Sequence, residues 1–150
     1  MATSSEVDRA VQDAKRLLED NGYDCTTTAA DLRQWFEADT PFDENFGLDE
    51  VLRYPLLVVH ELVEIENVKR MGLSLTKDVI VTNLEKIDDA HLIATEAELK
   101  IAIALRDVRH IRDRLENIRM WIEDDTVTPE NKEKYRRMHS ETQRVLESIP

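Results

Sequence analysis

The sequence predicts an all-α fold, a single-domain helical bundle with one long helix in its C-terminal half. Three observations lead there. Glycine and proline are scarce, three and four in 150 residues, so long stretches run without punctuation. Charged residues make up 35% and aromatics 5%, the balance of helices with solvated outer faces. Apolar residues recur at spacings of three and four rather than alternating. A chain of this length is enough for one compact domain, residues 1–150, with a sizeable core.

The elements follow in order. Ser4 or Ser5 can cap a first helix whose Val7, Ala10, Val11, Ala14, Leu17 and Leu18 form one stripe, ending at Asn21-Gly22. Thr28, followed three residues later by Asp31, signals the start of a short helix bearing Leu32, Trp35 and Phe36. TPFDENFG then breaks the chain. Residues 48 to 54 can start the central helix early, with Pro55 either its first-turn residue or a kink, and Gly72 ends it. Thr82 and Glu85 have capping-box spacing, and no Gly or Pro follows until Pro129. The long helix therefore starts there. Its stripe of Leu84, Ile87, Ala94, Ile101, Leu105, Val108, Ile111, Leu115, Ile118 and Ile122 runs through roughly forty residues at ~1.5 Å each, with a bend or split near Thr95 left open. Thr128-Pro129 starts a last helix with Tyr135, Met138, Val145 and Leu146 on its buried side.

Composition also narrows function. A net charge of −12 repels DNA and anionic membranes and favours cations or basic partners. Cys25 is the single cysteine, which excludes an internal disulfide and points to a reducing cytoplasm. The N-terminus lacks the apolar core of a signal peptide, and the run Leu56 to Val59 is far short of the ~20 residues that span a bilayer. A soluble, acidic, cytoplasmic protein is expected.

The most informative segment is the central one, PLLVVHELVEIENVKRM, apolar on nearly every side yet carrying His60, Glu61, Glu64, Glu66 and Asn67. A helix greasy all round is normally buried, and buried ionisable groups need partners or a metal. His60 and Glu64 are four residues apart and share a face. On the long helix His91 and Glu98 stand where Ile87, Ala94 and Ile101 place the core. Imidazole with carboxylate suits zinc, iron or manganese held between facing helices. The candidate metal ligands are His60, Glu64 and His91, completed by Glu98 or Asp88. HELVE is not the HExxH motif, since Glu64 stands at the second histidine. Asp88-x-x-His91 and Asp107-x-x-His110 lie ~28 Å apart on one helix, too far to build a di-iron centre. The competing reading is that each imidazole satisfies a carboxylate inside the bundle.

A second constellation uses the same helices. Glu61-x-x-Glu64, twenty intervening residues and Glu85-x-x-Asp88 resemble the ExxE…ExxD signature of the all-alpha nucleoside triphosphate pyrophosphohydrolases, the MazG-like group. Two such pairs on facing helices would present four hard oxygen ligands to Mg²⁺ holding a triphosphate. The segment LRQWFEADTPFDENFGLDEVLRYPLLVVHELVE has the look of that family's first helix, loop and acidic helix, so the resemblance covers about residues 30 to 95. It implies catalytic roles for Glu61, Glu64, Glu85 and Asp88, a nucleotide partner, and a metal-activated water attacking between the α and β phosphates. Asn131, Lys132 and Arg136 are the candidates for phosphate contacts.

The remaining features have plainer readings. Arg106, Arg109, Arg112, Arg114 and Arg119 interleave with Asp107, Asp113 and Glu116 as a solvated face, and His110 and His139 are expected at the surface. Trp35 and Trp121 fit the core, or the wall of a base-binding pocket. A non-enzymatic alternative also stands. The long striped helix, with a second apolar row hinted by Leu92, Leu99, Ile103 and Trp121, can pair with itself as a homodimer or with a protein partner, making the bundle an assembly or adaptor module.

Overall fold

The computed structural model describes residues 2–41 and 47–150, and the five residues 42–46 of the TPFDENFG break lie outside it. The fold is all-α. Among the described residues there are eight helices and no strand: α1 Ser4–Asp20, α2 Ala29–Glu37, α3 Leu48–Val51, α4 Pro55–Arg70, α5 Val79–Thr82, α6 Leu84–Ala104, α7 Val108–Ile122 and α8 Pro129–Ser148. No helix is long and apolar enough to cross a membrane. The chain divides into two compact units, Met1–Ala94 and Thr95–Pro150, with the boundary inside α6.

In the N-terminal unit α4 is the element the others cover. It packs against α1, α2 and α3. Its buried residues, Leu56, Val58, Val59, His60, Leu62, Val63, Glu64, Ile65, Glu66 and Val68, leave no solvated face of ordinary width. Pro55 is the first-turn residue and not a kink, because its missing N–H would be unpaired at a helix start in any case. Residues 48 to 51 form a separate turn of helix instead of extending α4. α1 buries Val7, Val11, Ala14 and Leu18, each worth up to ~3 kcal/mol of transferred apolar surface for the larger side chains. Its cap is Thr3 rather than Ser4 or Ser5; the Thr3 hydroxyl accepts from the Glu6 amide at 3.1 Å. The Thr28–Asp31 capping box forms in both directions at the start of α2.

Thr82 does not cap the long helix. It closes the short α5, donating its hydroxyl to the Asp78 carbonyl at 2.8 Å, and α6 begins after Asn83, whose carbonyl accepts from Ile87. The forty-residue stripe is also divided, and not near Thr95. α6 stops at Ala104 and α7 starts at Val108. At the break the Arg106 amide donates to Ile103 and the Asp107 amide to Ala102, the bonding of a Schellman cap with Arg106 in its left-handed position at φ 55°. Gly22 and Gly72 occupy that position after α1 and α4. Asp107 then caps α7, accepting from the His110 amide at 3.1 Å. The sequence showed no break because the residue performing it is an arginine.

In the C-terminal unit α7 packs on α8. Ile111, Leu115 and Ile118 are buried on α7, and Tyr135 and Met138 on α8, where Asn131 and Thr142 are buried as well. Val145 and Leu146 are only half-buried.

Candidate metal centre

The α-helical repeat sets His60 and Glu64 one above the other on the inward side of α4, and α6 brings His91 to them. His60 Nε2 lies 3.3 Å from Glu64 Oε2 and 3.3 Å from His91 Nδ1, and His91 Nδ1 lies 3.7 Å from Glu64 Oε1. The two imidazole rings meet edge to face with centroids 4.8 Å apart. The His60 and Glu64 side chains are 3% and 8% exposed, whereas His91 is 29% exposed and forms the solvent edge of the group. Burial pushes the Glu64 carboxyl up, but the close approach of His60 and His91 and their positive charge outweigh it and bring the group down to about 2. Glu64 is therefore a carboxylate at neutral pH.

His60 Nε2 is within hydrogen-bond reach of both Glu64 and His91, whereas 3.7 Å between His91 Nδ1 and Glu64 is longer than a hydrogen bond. One His60 N–H shared between the ionised carboxylate and the His91 lone pair meets both short contacts. All three groups are also of the kind that give a lone pair to a transition metal. His60, Glu64 and His91 could thus hold a metal ion, and among the described residues they are the group of histidine, cysteine or acidic side chains so arranged.

The other expected site residues fall elsewhere. Glu61 points to α2, where its Oε2 accepts the Trp35 indole N–H at 3.0 Å. Glu85 is exposed in the first turn of α6, and Asp88 is half-buried one turn before His91; neither belongs to the three-residue group. Glu98 is fully buried seven residues beyond His91 in α6, and its carboxylate is engaged by α7. Arg114 Nε donates to Oε2 at 2.6 Å and a terminal Arg114 nitrogen to Oε1 at 2.9 Å, while His110 Nε2 meets Oε2. Arg114 also lies 5.7 Å from the Trp121 ring, which packs on Tyr135. Two sequence expectations are corrected here: Arg114 is not on the solvated face, and His110 is not free at the surface. The misplaced Glu98 was the only sign of this network, since its partners come into reach through the chain reversal at Arg106.

A third buried acid, Glu66, fastens the segment before α2 to α4. Its carboxylate accepts from the Thr26 amide at 2.9 Å and from the Thr27 hydroxyl at 2.7 Å, with the Cys25 thiol alongside. Burial raises the Cys25 thiol above its ordinary value, so it is a poor nucleophile. No protein family, curated protein or solved structure matches the chain.

Proposed function

We propose that this protein binds a first-row transition metal through His60, Glu64 and His91. The observation that carries the proposal is the convergence of two imidazoles and a buried carboxylate from α4 and α6, one donor atom of each lying within 4.8 Å of the others. Their spacing supports it. Ligands at 2.0–2.1 Å around a tetrahedral zinc stand about 3.3 Å apart, the distance of His60 Nε2 from Glu64 Oε2 and from His91 Nδ1, and one donor atom from each of the three lies within 4.8 Å of the others. Two imidazoles and one carboxylate favour zinc, iron or manganese over magnesium, which takes oxygen ligands. Charge supports it too. The N-terminal unit holds nine Lys and Arg against twenty Asp and Glu, whereas the C-terminal unit holds eleven against twelve, so the acidity that concentrates cations belongs to the unit with the centre.

The magnesium-dependent pyrophosphohydrolase has less support, because Glu61 is engaged by Trp35 and Glu64 by two imidazoles. The assembly or adaptor reading draws on exposed apolar residues such as Leu84, Ile93, Leu105 and Met120. Elemental analysis after EDTA stripping and reloading separates the three. One equivalent of zinc, iron or manganese, lost in Glu64→Gln and kept in Glu85→Gln, is the expected result. Magnesium-dependent release of pyrophosphate from nucleoside triphosphates, abolished by Glu61→Gln, would replace it with the hydrolase. A chain that takes no metal and elutes as a dimer leaves the assembly module.

A further inference from the structure

We infer that the chain forms a domain-swapped dimer, in which residues 104–108 straighten, α6 runs on into α7 as one helix, and α7, carrying α8 with it, meets Glu98 of a second copy. Sequence and structure disagree at this turn. The steps from Ile101 to Leu105, Val108, Ile111, Leu115 and Ile118 are four, three, three, four and three, so the apolar row crosses the break in helical register. Ala104, Leu105 and Arg106 are strong helix formers. Yet the chain reverses here. Arg106 is held at φ 55°, a conformation that is costly for a residue with a side chain, and Leu105 of the row is left 52% exposed. A local preference opposed by tertiary packing marks an element with two arrangements.

What holds the reversal closed also names the partner. Glu98 is fully buried and is met from α7 by Arg114, through two bonds, and by His110. Straightening carries both away from the Glu98 of their own chain, since helical separations of 12 and 16 residues span ~18 and ~24 Å. A lone chain would then bury a carboxylate without its cations, which is strongly unfavourable. A second copy carries the same Arg114 and His110 and returns them to that carboxylate by reciprocal exchange, so the Glu98 network of the closed monomer is rebuilt in the swapped dimer. The balance therefore rests on the hinge. Dimerisation relieves two left-handed arginines, whereas the Asp107 cap on the His110 amide favours the closed chain.

The test uses the full chain, refolded from denaturant at high and at low protein concentration. Size exclusion with light scattering is expected to resolve a monomer and a slowly exchanging dimer, the dimer favoured at high concentration. Arg106→Gly, which relieves the left-handed turn and places a glycine in the straight helix, is expected to weaken dimerisation by about 100-fold, a factor of ten at each of two hinges. Asp107→Ala, which removes the cap, is expected to strengthen it. The arrangement is read from spin labels at Glu96→Cys and Glu116→Cys in a Cys25→Ser background, with labelled chains diluted into unlabelled ones so that distances within one chain are measured. Both sites are exposed, and they lie two residues beyond Glu98 and Arg114, close together while that pair is made within the chain. In the straight helix their separation of 20 residues spans ~30 Å. The dimer is expected to show that distance and the monomer a shorter one. A dimer that keeps the monomer's distance is an ordinary association and overturns the inference. So does an Arg106→Gly chain that dimerises as the wild type does, or an Asp107→Ala chain that stays monomeric after refolding at high concentration.

Discussion

Replacing Glu64 by glutamine keeps its volume and removes the one anionic donor of the centre. In the wild type, a metal present at one hundred times its dissociation constant adds about 2.7 kcal/mol to stability. In a chain of 150 residues each kcal/mol moves the melting temperature by ~2–4 °C. Zinc or cobalt should therefore raise the wild-type Tm by roughly 5–10 °C over the EDTA-treated protein. In Glu64→Gln the increment should fall below about 1 kcal/mol, because the amide is a poor ligand and its N–H₂ end repels the ion. The substitution also alters metal-free stability. It loses charge-assisted bonds worth ~1.5–3 kcal/mol and gains back the cost of burying a charge, so the two partly cancel. The decisive quantity is the difference between the metal-loaded and stripped Tm of each protein by differential scanning calorimetry. A wild type that ignores zinc, cobalt, iron and manganese, or a glutamine variant that keeps the full increment, would refute the reasoning; magnesium should give no comparable increment.

Three further outcomes are expected. The folded-state Glu64 carboxyl lies at about 2 against an ordinary 4.5, so its contribution of about 3 kcal/mol is present above pH 4.5 and is lost as pH falls toward 2; urea midpoints of the metal-free protein should drop across that window, less so in Glu64→Gln, and equal slopes would count against the buried ionised carboxylate. Removing the Glu98 carboxylate in Glu98→Ala strands Arg114, which is 13% exposed, and should cost about 3–5 kcal/mol by denaturant unfolding, a loss under 1 kcal/mol showing that the network holds nothing. Arg106→Gly relieves a left-handed arginine and should raise stability by about 1 kcal/mol; a lowered Tm would mean that the arginine side chain, and not the backbone, sets the turn.

How far the sequence could be read depends on where each signal resides. Helices that announced themselves did so through local chemistry. Thr28 with Asp31, Asn21 with Gly22, and Thr128 with Pro129 each mark a boundary through bonds made within four residues. Thr82 and Glu85 had the right spacing but the wrong outcome, because Thr82 satisfied the nearer Asp78 carbonyl. The mixture of apolar and ionisable residues in α4 exposed the centre, since such a helix must be buried and its charges must be met there.

The amino-acid order by itself determined the all-α class, the starts of α2 and α8 and the pairing of His60 with Glu64, because hydrophobic period, caps and an i, i+4 spacing are properties of short stretches. Only the tertiary structure decided which acid shares a space with which imidazole. His91 reaches His60 across 31 positions, Glu61 turns to Trp35 across 26, and Glu98 meets Arg114 through a reversal at a left-handed arginine. Which face of a helix meets which neighbour is set by the packing of the whole core, and no local rule encodes it.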